Sequence, residues 1–345
     1  MQDFESESFA MGVDHSQKVK ATPIATAVAR VTVQSMNFRP FSLPRAFIQK
    51  RLHSLTGLWL VAFLILHLLA NSQAALLVGE DGSGFVKAAN DIRTLPYLPV
   101  IEIALLAVPF AIHIYWGICA LMVSEPNSLR SDGAKPSLPE YPHNHAYTWQ
   151  RVTSWILLLL IAAHVIQMRF MENPVEAQLG AEKFYMVRVN RDPGLESVAA
   201  RLGVKLLDSN QIEKQEKELP QTPKSDNPVD AQLYSQQRER IEALKSRPLE
   251  KNQVMAVANN FGTAELLMVR ETFKLPSMLL LYTVLVLSAC FHGFNGLWTF
   301  LITWGVTMSQ KSQNRMYRIS LFFMGLLAFM GLSAIWGTYW ISLRV

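Results

Sequence analysis

Residues 52–78 read LHSLTGLWLVAFLILHLLANSQAALLV, 27 positions without one Asp, Glu, Lys or Arg. As a helix this stretch is about 40 Å long, more than the roughly 30 Å of hydrocarbon in a bilayer. A helix on the surface of a soluble domain would carry a charged face, and this one has none. Four more segments share its character: Leu98–Val123, Val152–Met168, Leu275–Met308 and Ile319–Leu343. Glu102 is the one acid inside any of the five. Gly57, Pro109, Gly117 and Gly331 interrupt them, which membrane helices tolerate because neighbours satisfy the freed backbone groups. The fourth segment exceeds the length of a span and is expected to tilt or project.

Charge is segregated to match. Residues 169–274 hold 32 of the chain's 59 charged side chains. The expected fold is therefore all-α, an integral membrane bundle of five transmembrane helices with a long polar insert between helices 3 and 4. Its parts are a tail over 1–51, helices 1–3 within 52–171, the insert over 172–273, and helices 4–5 within 274–345. The core of the insert, Gln211–Lys251, is rich in Glu, Lys, Gln and Pro. That composition predicts a solvated segment, partly disordered or helical, with Pro220, Pro223 and Pro228 breaking the chain before an exposed helix over Asp230–Lys245. A net charge of +5 could suggest nucleic acid. The basic residues form no stripe, and that class is excluded. Cys119 and Cys290 both lie in apolar runs and make no C-x-x-C or C-x-x-C-H motif. The polar N-terminal segment does not read as a secretory signal.

Basic residues flanking the spans set the expected orientation. Lys18, Lys20, Arg30, Arg39, Arg45, Lys50 and Arg51 precede the first span. Arg130, Lys135 and Arg151 follow the second, and Lys311, Arg315 and Arg318 follow the fourth. The opposite side has Lys87, Arg93 and Arg344, with the long insert left out of the count. The N-terminus is expected in the cytoplasm and the C-terminus and insert outside, in an inner (cytoplasmic) membrane.

Four histidines stand inside these spans, one per helix in the first four: His67, His113, His164 and His292. Ionisable residues at membrane depth are rare without a partner or a function. Counting helical rise from the flanking charges and prolines places His67 and His164 in the outer half and His113 and His292 in the inner half. Two stacked pairs of imidazoles suit two bis-histidine b-type haems, arranged for electron transfer across the membrane. Zinc is a poor rival, because it wants clustered ligands. A proton relay would recruit more acids than Glu102.

The runs Arg51-Leu-His53-Ser54-Leu-Thr-Gly57, His67-Leu-Leu-Ala-Asn71, Leu95-Pro96-Tyr97 before Glu102, His113-Ile-Tyr115-Trp-Gly117, Gln150-Arg151-Val-Thr153, and His292-Gly-Phe-Asn295-Gly-Leu-Trp298 before Thr303-Trp304-Gly305 resemble the cytochrome b subunit of succinate dehydrogenase. The class is the single-chain, five-helix, two-haem anchor shared with quinol:fumarate reductases. The resemblance covers roughly residues 44–170 and 275–345. The insert and the long N-terminal tail depart from it. It implies haem pairing of the first helix with the third and the second with the fourth. It also implies an iron–sulfur subunit and an FAD-containing flavoprotein on the cytoplasmic side, and electron passage to membrane quinone. The anchor would not hold the succinate site. Alternatives are the dihaem anchor of another quinone-linked enzyme, of hydrogenase or formate dehydrogenase type, and a haem-free transporter.

Secondary candidates follow. Glu102 is a proton donor or acceptor for quinone at the outer haem. Arg51, His53, Arg151 and Thr153 are partners for haem propionates or for the iron–sulfur subunit, and Lys311 closes the same level. Asn71 and Asn295 are expected to bond between helices. Trp298, Trp304, Trp336 and Trp340 are expected in the aromatic belt. His15, His143 and His145 lie in polar segments, and His143-Asn-His145 makes a poor metal site.

Overall fold

A computed structural model of the protein describes residues 44–75, 82–123, 142–223 and 227–343, together with Ser128 and Ser225. The tail to residue 43, with His15, the expected end of the first span at Leu76–Val78, Arg130, Lys135 and Arg344 lie outside these residues.

Five helices are long and apolar enough to cross a membrane: α1 (Arg45–Ser72), α3 (Leu98–Val123), α4 (His143–Met171), α9 (Pro276–Thr303) and α10 (Gln310–Trp340). The helices α1, α4 and α10 begin in polar sequence ahead of the expected apolar stretches, because helical hydrogen bonding continues past the hydrocarbon edge. Pro276 opens α9 at a position where its missing N–H costs nothing. Trp304 and Gly305, the latter at φ 71°, wind α9 off. The side chain of Ser309 then accepts from Ser312 N at 3.2 Å and starts α10. Pro109 sits inside α3, and its ring crowds the carbonyl four residues back. Here that carbonyl belongs to Leu105, within a widened π turn over Ile103–Ala107. The freed oxygen accepts from Trp59 Nε1 of α1 at 2.7 Å. α1 and α9 form the middle of the bundle. α3 packs on α1, α4 on α9, and α10 on both.

A short helix, α2 (Ser83–Arg93), lies between α1 and α3. The insert between α4 and α9 departs from the polar, partly disordered or helical segment that its composition predicts. It contains four strands, β1 (Val175–Leu179), β2 (Glu182–Asn190), β3 (Lys205–Leu207) and β4 (Gln253–Ala258), in one antiparallel sheet of order β1-β2-β4-β3. Its helices are α5 (Leu195–Leu202), α6 (Ser209–Lys217), α7 (Pro228–Lys245) and α8 (Phe261–Thr272). α7 begins two residues before the expected helix, with Asn227 accepting from Val229 N at 3.1 Å and Pro228 in the first turn. β1 and β2 form a hairpin whose register closes at Leu179 and Glu182, with Gly180 turning at φ 62°.

The strands bury both faces by strict alternation. Met186, Met255 and Val257 join Ile212, Ile241 and Leu244 under α6 and α7. Tyr185, Val187, Val189, Val254 and Ala256 join Leu266, Leu267 and Phe273 on the other side, in an apolar cluster that runs on through Leu279, Tyr282 and Leu285 into α9. Insert and bundle thus share one core. The joint is fastened by Asp192, which accepts from Arg270 Nη1 and Nη2 at 2.8 and 2.7 Å and lies 2.6 Å from Lys274 Nζ. Burial pushes the Asp192 carboxyl up, but these two cations outweigh it and hold it well below the usual carboxylate range. α8 also docks on α2. Asn90 Oδ1 accepts from Gly262 N at 2.8 Å, and Asn90 Nδ2 donates to Asn260 Oδ1 at 3.1 Å.

Candidate haem sites

The four intramembrane histidines meet in two pairs. His67 of α1 faces His164 of α4 with ring centroids 6.0 Å apart. His113 of α3 faces His292 of α9 at 6.2 Å. The first pair lies towards the insert and the second towards the opposite end of the bundle, where α1 begins and α9 ends. Two metal–nitrogen bonds of about 2.0 Å each, with each ring's own radius added, need centroids roughly 6 Å apart when one metal ion is shared. All four rings are half-buried rather than packed shut.

Hydrogen bonds at Nδ1 decide which nitrogen is free. His113 Nδ1 lies 3.2 Å from the carbonyl of His53. A carbonyl only accepts, so Nδ1 carries the proton and Nε2 the lone pair. His292 Nδ1 lies 3.5 Å from Thr153 Oγ1 and 3.4 Å from Ser154 Oγ. Both hydroxyls donate to carbonyls of their own helix, Thr153 to Trp149 at 2.8 Å and Ser154 to Gln150 at 2.7 Å, so they accept from the ring. His164 Nδ1 lies 3.2 Å from the hydroxyl of Tyr282, which donates to Gln167 Oε1 at 3.2 Å. Three rings thus present an unprotonated Nε2. Among the described residues, none hydrogen-bonds to Nε2 of any of the four. A metal-bound imidazole is held in this way, its second nitrogen donating to an outer group that fixes ring and tautomer. The donor set therefore fits axial ligation of two haems.

The surroundings tighten the pair away from the insert. A Cβ added to Gly57 would stand 3.0 Å from His113 Cε1, so a larger residue there would press on the ring. Gln150 Nε2 donates to the His292 carbonyl at 3.0 Å, and Asn295 Nδ2 donates to Gln150 Oε1 at 2.9 Å, tying α4 to α9.

The other expected residues divide. Thr153 is buried, with its hydroxyl 3.5 Å from His292 Nδ1. His53 packs against His113 with ring centroids 4.3 Å apart and planes 36° apart, so it stands beside the His113–His292 pair. Arg51 donates to the Thr303 carbonyl at 2.5 Å, with its guanidinium over the rings of Phe47 and Trp304 at 4.9 and 4.8 Å. Arg151 lies 6.0 Å over Tyr147. Asn71, expected to bridge helices, donates to the carbonyl of His67 in its own helix at 2.8 Å. Its polar group is satisfied by the backbone one turn back. Trp298, expected in the interfacial belt, is 8% exposed and stacked on His143 at 4.9 Å. His143 is thereby an aromatic partner. Trp336 and Trp340 are exposed.

Glu102 accepts from Arg169 Nη2 at 2.6 Å at the insert end. Sequence reasoning missed a second carboxylate at that end, Glu265 of α8. It is half-buried, and desolvation pushes it up to about 7 against the pull of Arg169 and Arg93. It also missed Tyr282, Gln167 and Ser154. Their signal was present: each is a polar side chain in or beside a span, which needs a partner there.

Among curated proteins, the chain is similar to the succinate dehydrogenase cytochrome b558 subunit of Bacillus subtilis (strain 168). The two are 26% identical over 292 residues, which cover 84% of this chain and 96% of that protein. No family model matches the chain. No solved structure matches it.

Proposed function

We propose that this protein is the membrane anchor and electron-transfer subunit of a succinate:quinone oxidoreductase (respiratory complex II). It holds one b-type haem between His67 and His164 and a second between His113 and His292. The observation that carries this reading is the facing of two imidazole pairs whose Nδ1 atoms are engaged by acceptors in three of four cases, which leaves Nε2 of those rings unprotonated and able to bind a metal. The similarity to a succinate dehydrogenase cytochrome b558 subunit over most of the chain supports the same assignment.

A haem held by these histidines would supply one-electron transfer. The chain's own part is to hold and orient. His53, through its carbonyl, and Thr153 with Ser154 fix the rings of the pair away from the insert. Tyr282 fixes one ring of the insert-side pair. Gly57 keeps α1 close enough to confine His113. Arg51 and Arg151 are cations at the former pair's end, suited to haem propionates or to an acidic partner surface. Basic flanks put that end and the N-terminus in the cytoplasm. An iron–sulfur subunit, with its FAD-containing flavoprotein, docks there, and quinone takes electrons at the insert side. Quinone reduction needs protons, and Glu102, held by Arg169 at that end, is the candidate to exchange them.

The test is purification with partners and a reduced-minus-oxidised spectrum. The expected result is two b-type components and co-purifying flavin and iron–sulfur subunits. His67→Ala or His164→Ala should remove one component, and His113→Ala or His292→Ala the other. A colourless protein from haem-replete cells, or one component lost from both His67→Ala and His292→Ala, would overturn the assignment. A hydrogenase or formate dehydrogenase as co-purifying partner would reassign the anchor while keeping its haems.

A further inference from the structure

On the reading that His164 is an axial ligand, we infer that Tyr282 is a positioning residue for the insert-side haem: its hydroxyl holds His164 as the Nδ1-protonated tautomer. Tyr282 stands on α9, ten residues before His292, yet its side chain serves the other pair. It is 5% exposed. Its oxygen lies 3.2 Å from His164 Nδ1 and 3.2 Å from Gln167 Oε1. A hydroxyl has one proton to give. With the Gln167 carbonyl oxygen as acceptor, that proton goes to Gln167, and the oxygen lone pair takes Nδ1–H of His164. Were the phenol instead to donate to Nδ1, the ring proton would sit on Nε2, where a metal must bind. Gln167 thus sets the direction of the chain and Tyr282 transmits it.

Tyr282 is itself held by the insert. Phe273, which closes α8 just before α9, packs edge-on against its ring at 5.2 Å with planes 87° apart. Phe273 is 6% exposed and belongs to the core shared by sheet and bundle. Neither ring of the other pair has such an arrangement. His113 uses a carbonyl of α1 and His292 uses hydroxyls of α4. The insert therefore supports one ligand pair and not the other.

The consequence is a potential that one hydroxyl tunes. Donation from Nδ1–H makes an imidazole more basic and favours the ferric state of its iron. Tyr282→Phe keeps the ring and its packing but removes the acceptor. It should raise the midpoint potential of the insert-side component by an amount matching about a tenfold change in ferric-to-ferrous preference, about 59 mV for a one-electron couple. The component held by His113 and His292 should stay where it is. The experiment is a spectroscopic redox titration of the purified holoprotein, with the low-spin ferric EPR signal recorded beside it. The component missing from His67→Ala identifies which is which. Selective loss of the insert-side haem from Tyr282→Phe would also support the role. If both haems were lost, the variant would be misfolded. Gln167→Leu, which leaves Tyr282 in place, then carries the test and should move the same component in the same direction. Wild-type haems present with potentials and EPR signals unmoved by either variant would overturn the inference while leaving the haem assignment standing. Absence of haem from the wild type would overturn both.

Discussion

Gly262 makes the docking of the insert on α2 a quantity that one methyl group can change. An added Cβ would lie 2.3 Å from the Val86 carbonyl oxygen, 2.9 Å from Val86 Cα and 3.0 Å from its carbonyl carbon. All three are backbone atoms of a helix, so no side chain can rotate away, and α8 must back off by about 1 Å to reach ordinary contact. That movement strains the bond from Gly262 N to Asn90 Oδ1 at 2.8 Å and the Asn90–Asn260 bond at 3.1 Å. Overpacking costs about 1–3 kcal/mol, and a lost hydrogen bond adds about 1 kcal/mol. Gly262→Ala should therefore weaken docking by about 2–4 kcal/mol, which raises the undocked population roughly 30- to 700-fold. Hydrogen-exchange mass spectrometry on the detergent-solubilised protein reads this directly. Peptides from α8 and α2 should lose protection by that factor, while α9 and α10 keep theirs. The control is Gly325→Ala in α10, where nothing lies within 4 Å of the added carbon, and it should leave exchange as it was. Wild-type protection of α8 in Gly262→Ala would show that the two helices are not in backbone contact and would refute the argument.

Other outcomes follow from single groups. Glu265 titrates near 7 in the folded protein and near 4.5 when unfolded. The folded state thus binds the extra proton between those values, and stability falls as pH rises through that window. Glu265→Gln should abolish the fall and stabilise the protein above pH 7 by at most about 3 kcal/mol, read from melting temperature against pH. Asp192 behaves oppositely. Its depressed carboxyl contributes stability above about pH 4 that is lost as pH falls further. Asp192→Ala, which strands the buried guanidinium of Arg270, should cost about 3–5 kcal/mol at neutral pH in the same assay. Gly57→Ala should push the His113 ring and weaken haem at that pair about tenfold or more, with the insert-side component intact in the spectrum. Glu102→Gln should keep both haems and slow quinone turnover, and unchanged turnover would remove Glu102 from proton exchange.

The bundle was legible in the sequence because lipid punishes ambiguity. A charge-free run of 27 residues has few alternatives to a span, and a histidine inside one stands out against leucine. Rise per residue from the flanking charges, and from Pro276 for His292 where the charges are nearly equidistant, then grouped His67 with His164 and His113 with His292. The structure puts those rings 6.0 and 6.2 Å apart. What sequence distance hid was the outer layer of each pair. Tyr282 reaches His164 across 118 positions, and Ser154 reaches His292 across 138. No periodicity links such residues, since each is a lone polar position whose partner depends on helix rotation and tilt. The same blindness sent Trp298 to the interface when it stacks on His143, and Asn71 across helices when its own backbone was nearer.

The insert was illegible for the opposite reason. Water makes polar residues cheap at every exposed position, so charge there says little about order. Averaged over residues 172–273, the composition is that of a solvated segment. Yet two short apolar runs, Tyr185–Val189 and Val254–Ala258, are buried on both faces and interrupted only by Arg188. A strand covered on both sides loses the alternation that marks a half-exposed one, and five residues are too few to outweigh a hundred. The charged helices α6 and α7 that dominate the average are the layer that makes this possible. Their apolar residues Ile212, Ile241 and Leu244 close one face of the sheet, and most of their charged side chains are exposed. Polar composition in the insert is thus the outer surface of a folded layer. The inner surface of the sheet passes through Phe273 and Tyr282 to the ring of His164 in the membrane, which ties the part of the chain hardest to read to the part most easily read.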